Sequence, residues 1–121
     1  MSEEIGPTFD EEMSVISMTI EQAKEKIALA DALERLQNNQ YFKLLITDKY
    51  LDKYASNLVK LKQAMGHQSP EAQKHIDAQM IGIGQLFQFF GYVRQEGLMS
   101  EKALADNELA RAEMLEEQKG V

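Results

Sequence analysis

Cysteine is absent from the 121-residue sequence, which excludes disulfide bonds, thiolate metal sites and cysteine nucleophiles together. Long apolar runs are absent as well, and none approaches the roughly 20 residues that are needed to span a bilayer. Residues 1–10 are acidic and have no basic segment followed by an apolar one, so we expect no secretory signal. These absences predict a protein without a membrane role.

Basic residues are too few for a general nucleic-acid-binding protein. The chain has 13 Lys and Arg against 20 Asp and Glu, which gives a formal net charge of −7. The acids are concentrated in residues 1–14 and 98–121, while residues 15–66 are mildly basic. Nucleic-acid-binding domains usually show a strong basic excess, so the charge argues against nucleic acid as a partner. The acidic ends either keep the protein soluble or dock on a basic partner.

Groups for catalysis or metal binding are scarce. The two histidines are His67, beside a predicted turn, and His75, near the start of a predicted helix. Glu71 and His75 lie four residues apart, but a metal site needs a third ligand and supporting hydrogen bonds, and the sequence offers no further histidine. No nucleophile motif surrounds any serine. We therefore predict that the protein is not an enzyme and needs no metal or cofactor.

Helical periodicity is what the sequence does contain, and it is clearest in residues 70–96. Ser69 is a cap, Pro70 occupies the first helical position, and Gly97 lies just past the end. The main apolar stripe of this predicted helix has the spacing 4, 3, 4, 3. The residues of the stripe are Ile76, Met80, Ile83, Phe87 and Phe90.

The opposite side of the same predicted helix is also partly apolar. We call it the outer face, and it consists of Ile81, Gln85, Gln88, Phe89 and Tyr92. A helix that is apolar on two sides is either central in its fold or shared with another subunit. The outer face is therefore a candidate interface.

Two glycines interrupt this predicted helix seven residues apart, at Gly84 and Gly91, and they lie on one flank of the main stripe. Each glycine costs about 1 kcal/mol relative to alanine in a helix interior. Close approach of another helix is the usual compensation. We therefore predict a close helix crossing here, either within the chain or between subunits.

Three more helices are predicted, over residues 20–37, 40–65 and 101–118. Thr19 and Gln22 form a capping box for the first, and a break is expected at Asn38-Asn39, although one longer helix through it is possible. The last helix is weakly amphipathic and is able to project. The expected fold is thus an all-α bundle of about four helices in a single domain, residues 15–121, with an acidic arm at residues 1–14.

The second predicted helix, residues 40–65, ends before Gly66 and has one buried and one basic face. Its predicted buried face consists of Leu44, Leu51, Tyr54, Leu58, Leu61 and Met65. Its basic stripe consists of Lys49, Lys53 and Lys60. This stripe is either a solvated helix face or a docking surface for an acidic partner, such as an acidic end of a neighbouring copy.

A longer pattern resembles small, mostly uncharacterised helical proteins of tailed bacteriophages, over roughly residues 33–110. The pattern consists of Leu33-Glu34-Arg35-Leu36, Asn39, Phe42-Lys43, Tyr50-Leu51, Ser69-Pro70-Glu71, the Gly-Ile-Gly of the third helix and Glu101-Lys102-Ala103-Leu104-Ala105. The resemblance implies a biological setting, the virion or the host cytoplasm, and identifies no catalytic residue.

Two functions follow as hypotheses. The first is a phage virion or assembly protein that binds copies of itself and a larger structural component of the particle. The alternative is a free phage-encoded regulator that binds and inhibits a host enzyme or defence factor. Presence of the protein in purified particles would separate them.

Overall fold

Three helices make up the fold in the computed structural model, which describes residues 8–120. Helix α1 is Phe9–Asn38, α2 covers residues 40–63, and α3 is Pro70–Lys119. No strand occurs within residues 8–120. The predicted all-α class is confirmed, but the number of helices is three rather than four. Among the helices of these residues, none has the length and apolar character needed to cross a membrane.

Helix α1 begins eleven residues earlier than predicted, because the working capping box is at Thr8 and Glu11. The Glu11 N–H donates to Thr8 Oγ1 (3.2 Å), and the Thr8 N–H donates to Glu11 Oε2 (3.3 Å). The capping box predicted at Thr19 is wrong, since that hydroxyl donates within the helix to the Val15 carbonyl. Residues 9–14 of the predicted acidic arm belong to α1, and residues 1–7 lie outside the described residues.

The predicted break between the first two helices is confirmed at Asn39. Its backbone is extended (φ −70°, ψ 131°), and its Oδ1 accepts the N–H groups of Tyr41 (2.9 Å) and Phe42 (3.1 Å). This side-chain cap satisfies two amide groups that the start of a helix leaves without partners.

Helix α2 changes geometry along its length. It is α-helical over Gln40–Phe42, π-helical over Lys43–Tyr54 and α-helical again over Ala55–Gln63. A π-helix bonds residue i to residue i+5, so a stripe drawn at α-helical spacing leaves the core. This explains why Leu44 and Tyr54, both predicted to be buried, are exposed, whereas Leu58 is buried as predicted.

The turn after α2 is held by glutamines that satisfy carbonyl groups at the end of the helix. Gln68 Nε2 donates to the Lys62 and Ala64 carbonyls (2.9 and 2.7 Å), and Gln73 Nε2 donates to the Lys62 carbonyl (3.0 Å). The helix ends at Gln63, three residues before the predicted stop at Gly66. The 3₁₀ turn Met65–His67 follows, which places Met65 in solvent rather than in the core.

Helix α3 starts as predicted and ends much later. Ser69 Oγ accepts the Ala72 N–H (3.1 Å), so Ser69 is the cap. The helix then passes without a break through Gly97 to Lys119, so the predicted helices 70–96 and 101–118 are one element. The predicted stop at Gly97 is wrong.

The described chain divides into two compact units. The first unit combines residues 8–31 with residues 94–120, and the second unit comprises residues 32–93. The buried residues of the first unit are Ile20, Ala23, Gly97 and Ser100. A Cβ atom added at Gly97 would overlap the Cβ of Ala30. Gly97 therefore allows α1 and α3 to pack closely and does not end a helix.

The second unit has a small core between α2 and α3, formed by Leu58, Ile76 and Ile83. Tyr50, Leu51, Ala55, Leu61 and Met80 pack against these residues and are partly buried. The Tyr54 hydroxyl donates to Gln79 Oε1, and Lys62 pairs with Asp77. Of the predicted α3 stripe, Ile76, Ile83 and Phe90 are buried, whereas Phe87 is exposed.

Candidate self-association surface

The outer face of α3 is exposed along its whole length. Ile81 is 60% exposed, Phe89 58% and Tyr92 61%, and the two glutamines between them are exposed as well. These large side chains therefore contribute little to the core of their own chain. The candidate interface residues are accessible to another molecule, as an interface requires.

Gly84 and Gly91 lie along one edge of the outer face. At 100° per residue they fall on the flank opposite Phe89, with Ile81 and Tyr92 between. A Cβ added at either glycine would meet nothing within 4 Å, so no helix of the described chain crosses α3 there. The close crossing within the chain therefore does not occur at these glycines within residues 8–120. The close crossing between subunits stays a prediction.

The start of α2 exposes apolar surface as well, beside the main stripe of α3 rather than the outer face. The ring of Phe42 packs on that of Phe90, with centroids 6.1 Å apart, and this contact places the start of α2 beside the middle of α3. The neighbouring Tyr41 and Leu44 are 67% and 57% exposed. Leu44 was predicted to be buried, and the π-helical segment Lys43–Tyr54 accounts for its exposure.

The basic stripe is only partly brought together. Two of its lysines, Lys49 and Lys53, line a groove of about 370 Å³ on α2, whereas Lys60 is exposed outside it. We call this the tyrosine groove, and its lining residues are Leu45, Lys49, Tyr50, Lys53, Tyr54 and Asn57. The rings of Tyr50 and Tyr54 are stacked, with centroids 5.9 Å apart and planes inclined by 17°.

Both histidines line one cavity of about 290 Å³ in the second unit, a convergence that their positions in the sequence did not predict. His67 from the 3₁₀ turn and His75 from α3 meet there with Tyr54 and Gln79. Glu71, the other half of the i,i+4 pair considered as a metal site, does not line this cavity. Within residues 8–120, no three His, Asp or Glu side chains are grouped so that they could hold a metal ion.

Comparison with protein-family models, with curated proteins and with solved structures finds no match to this chain. The resemblance to phage proteins therefore stays a prediction, and function is argued from the surfaces described above.

Proposed function

We propose that this protein is a non-enzymatic virion or assembly protein of a bacteriophage, which binds copies of itself through the outer face of α3 and also binds a larger structural component. The observation that carries the self-association is the exposure of Ile81, Phe89 and Tyr92 on one helix face. Proteins that work alone rarely leave large apolar patches in water, so such a face marks an interaction site.

The imbalance between buried and exposed apolar side chains supports a partner for the second unit. The large apolar residues that it buries are Leu33, Leu58, Ile76, Ile83 and Phe90. Those that it exposes are Leu36, Tyr41, Leu44, Leu45, Tyr54, Val59, Met65, Ile81, Phe87, Phe89 and Tyr92. Association would remove part of this surface from water.

The shape of the outer face favours a second copy as the partner. The face has a gap at Gly84 and Gly91 on one flank and an exposed ring, Phe89, on the other. When two copies pair about a two-fold axis, each presents the same patch to the other, so the ring of one is able to fill the gap of its partner. The contact that fills the space at each glycine then compensates for the cost of placing glycine in a helix.

The apolar burial available is comparable with the cost of association, so a very tight complex is not expected. Full burial of a large apolar side chain contributes about 1.5–3 kcal/mol. Since Ile81, Phe89 and Tyr92 are each about three-fifths exposed, six such residues in a two-fold pair contribute roughly 5–11 kcal/mol. Association costs about 4–15 kcal/mol. We therefore expect an oligomer that depends on protein concentration.

Replacement of Phe89 by aspartate tests this interface. Phe89→Asp places a carboxylate in the proposed apolar contact, where burial of an unpaired charge costs several kcal/mol. We expect the variant to be a monomer by light scattering at concentrations where the unaltered protein is an oligomer, with the same helical content by circular dichroism.

Val59→Asp is the matched control, because Val59 is also an exposed apolar residue but lies on α2, outside the outer face. Its mass should equal that of the unaltered protein. Unchanged association of Phe89→Asp would contradict the proposal, and loss of folding together with assembly would place Phe89 in the subunit core.

The phage setting rests on the sequence pattern in residues 33–110. It predicts that the protein copurifies with particles, in a fixed copy number, from a host that produces them. Quantitative mass spectrometry of purified particles is the measurement. Presence of the protein in the infected cytoplasm but not in particles would contradict the virion role and favour the alternative, a free regulator of a host protein.

A further inference from the structure

We infer that the tyrosine groove binds the acidic C-terminal part of α3, residues 108–117, of a second copy. This inference rests on the proposed self-association and adds a second contact to it. The outer face joins two identical patches, whereas the groove and the acidic segment are different surfaces, so their contact is heterologous and able to extend an assembly beyond a dimer.

The groove combines an apolar floor with positive charge. Leu45 and the stacked rings of Tyr50 and Tyr54 supply apolar surface, and Lys49 and Lys53, one helical turn apart, supply the charge. No carboxylate lines it. Asp48 and Asp52 are on the same helix but do not line the groove.

The groove is also built on an unusual piece of backbone. Five of its six lining residues belong to the π-helical segment Lys43–Tyr54. π-Helical geometry usually appears as single-turn bulges and is frequent at functional sites. The hydrogen bond from the Tyr54 hydroxyl to Gln79 of α3 fixes one end of the groove. A rigid surface loses less entropy when it binds.

The C-terminal part of α3 has the complementary features. Its exposed acids are Glu108, Glu113, Glu116 and Glu117. Leu109 is 60% exposed, and Glu113 and Glu116 follow it by four and seven residues, which places all three on one helix face. Leu109 is thus able to lie on the tyrosine rings while the two carboxylates reach Lys49 and Lys53.

The start of α1 is the other acidic segment within residues 8–120, and it fits the groove less well. The Glu11 carboxylate accepts the Thr8 N–H and so caps α1. An ion pair with a groove lysine would compete with this cap. The carboxylates of Glu113 and Glu116 take part in no comparable cap.

Charge exchange tests the contact. In the groove variant, Lys49 and Lys53 become glutamate, and in the tail variant, Glu113 and Glu116 become lysine. Exposed ion pairs are individually weak, so replacing two attractions by two repulsions should weaken association about tenfold at low salt. The fourfold variant, which carries both exchanges, should regain it, and so should an equimolar mixture of the groove and tail variants.

Sedimentation velocity over a concentration series at low salt is the measurement, with Lys24→Glu/Lys74→Glu as a control that changes net charge equally at two exposed lysines outside the groove. The control should retain more association than the groove variant. Loss of association in the groove variant without loss of association in the tail variant would overturn the inference. Failure of the fourfold variant to regain association would overturn it as well. Unaltered protein that stays monomeric would instead contradict the proposed function itself.

Discussion

At the scale of single residues, Gly97 is the glycine, among those of residues 8–120, that packs most closely against a side chain of another helix. A Cβ there would overlap the Cβ of Ala30, whereas Gly91, six residues earlier on the same helix, has no atom within 4 Å of an added Cβ. Alanine is preferred to glycine in a helix by about 1 kcal/mol. Overpacking costs about 1–3 kcal/mol, which is enough to reverse this preference where space is absent.

We therefore predict opposite effects of the same substitution at these two glycines. Gly97→Ala should lower the free energy of unfolding by about 1 kcal/mol, and Gly91→Ala should raise it by a similar amount. Urea denaturation at low protein concentration is the measurement. In an Ala30→Gly background, where space is restored, Gly97→Ala should become stabilising. Equal stabilisation at both glycines in the unaltered background would contradict the close packing.

At the scale of helices, the boundaries that could be predicted from the sequence are those that depend on contacts between neighbouring residues. Ser69 accepts a backbone N–H group as predicted, because capping depends on near neighbours in the sequence. The start of α2 was predicted from the break at Asn38-Asn39, and the structure shows that Asn39 is its cap. The end of α3 was not predictable in this way. Glycine after an apolar stripe usually ends a helix, but Gly97 continues one because it packs against Ala30, which lies 67 residues away in the sequence.

Helix α2 shows a second limit of prediction from sequence periodicity. A periodicity of 3.6 residues predicted that Leu44 and Tyr54 would be buried, and the π-helical segment leaves both exposed. Nothing in the local sequence signals that change of hydrogen bonding. The same segment brings Lys49 and Lys53 to one groove with Tyr50 and Tyr54, so only the basic stripe, and not the aromatic floor beneath it, was predictable.

At the scale of the whole molecule, two surfaces are proposed to act together and they differ in physical character. The outer face of α3 is apolar, so contacts through it should depend little on salt. The tyrosine groove and the acidic end of α3 are of opposite charge and exposed, so salt should weaken their contact. Assembly should therefore proceed in two steps that ionic strength separates.

The mass of the unaltered protein in solution, measured by light scattering after size exclusion at high and low salt, tests self-association most directly. We predict a dimer, twice the 13.8 kDa of the chain, that persists at high salt, and larger species at low salt. A mass of 13.8 kDa under both conditions, at concentrations up to the highest that remain soluble, would contradict the central claim.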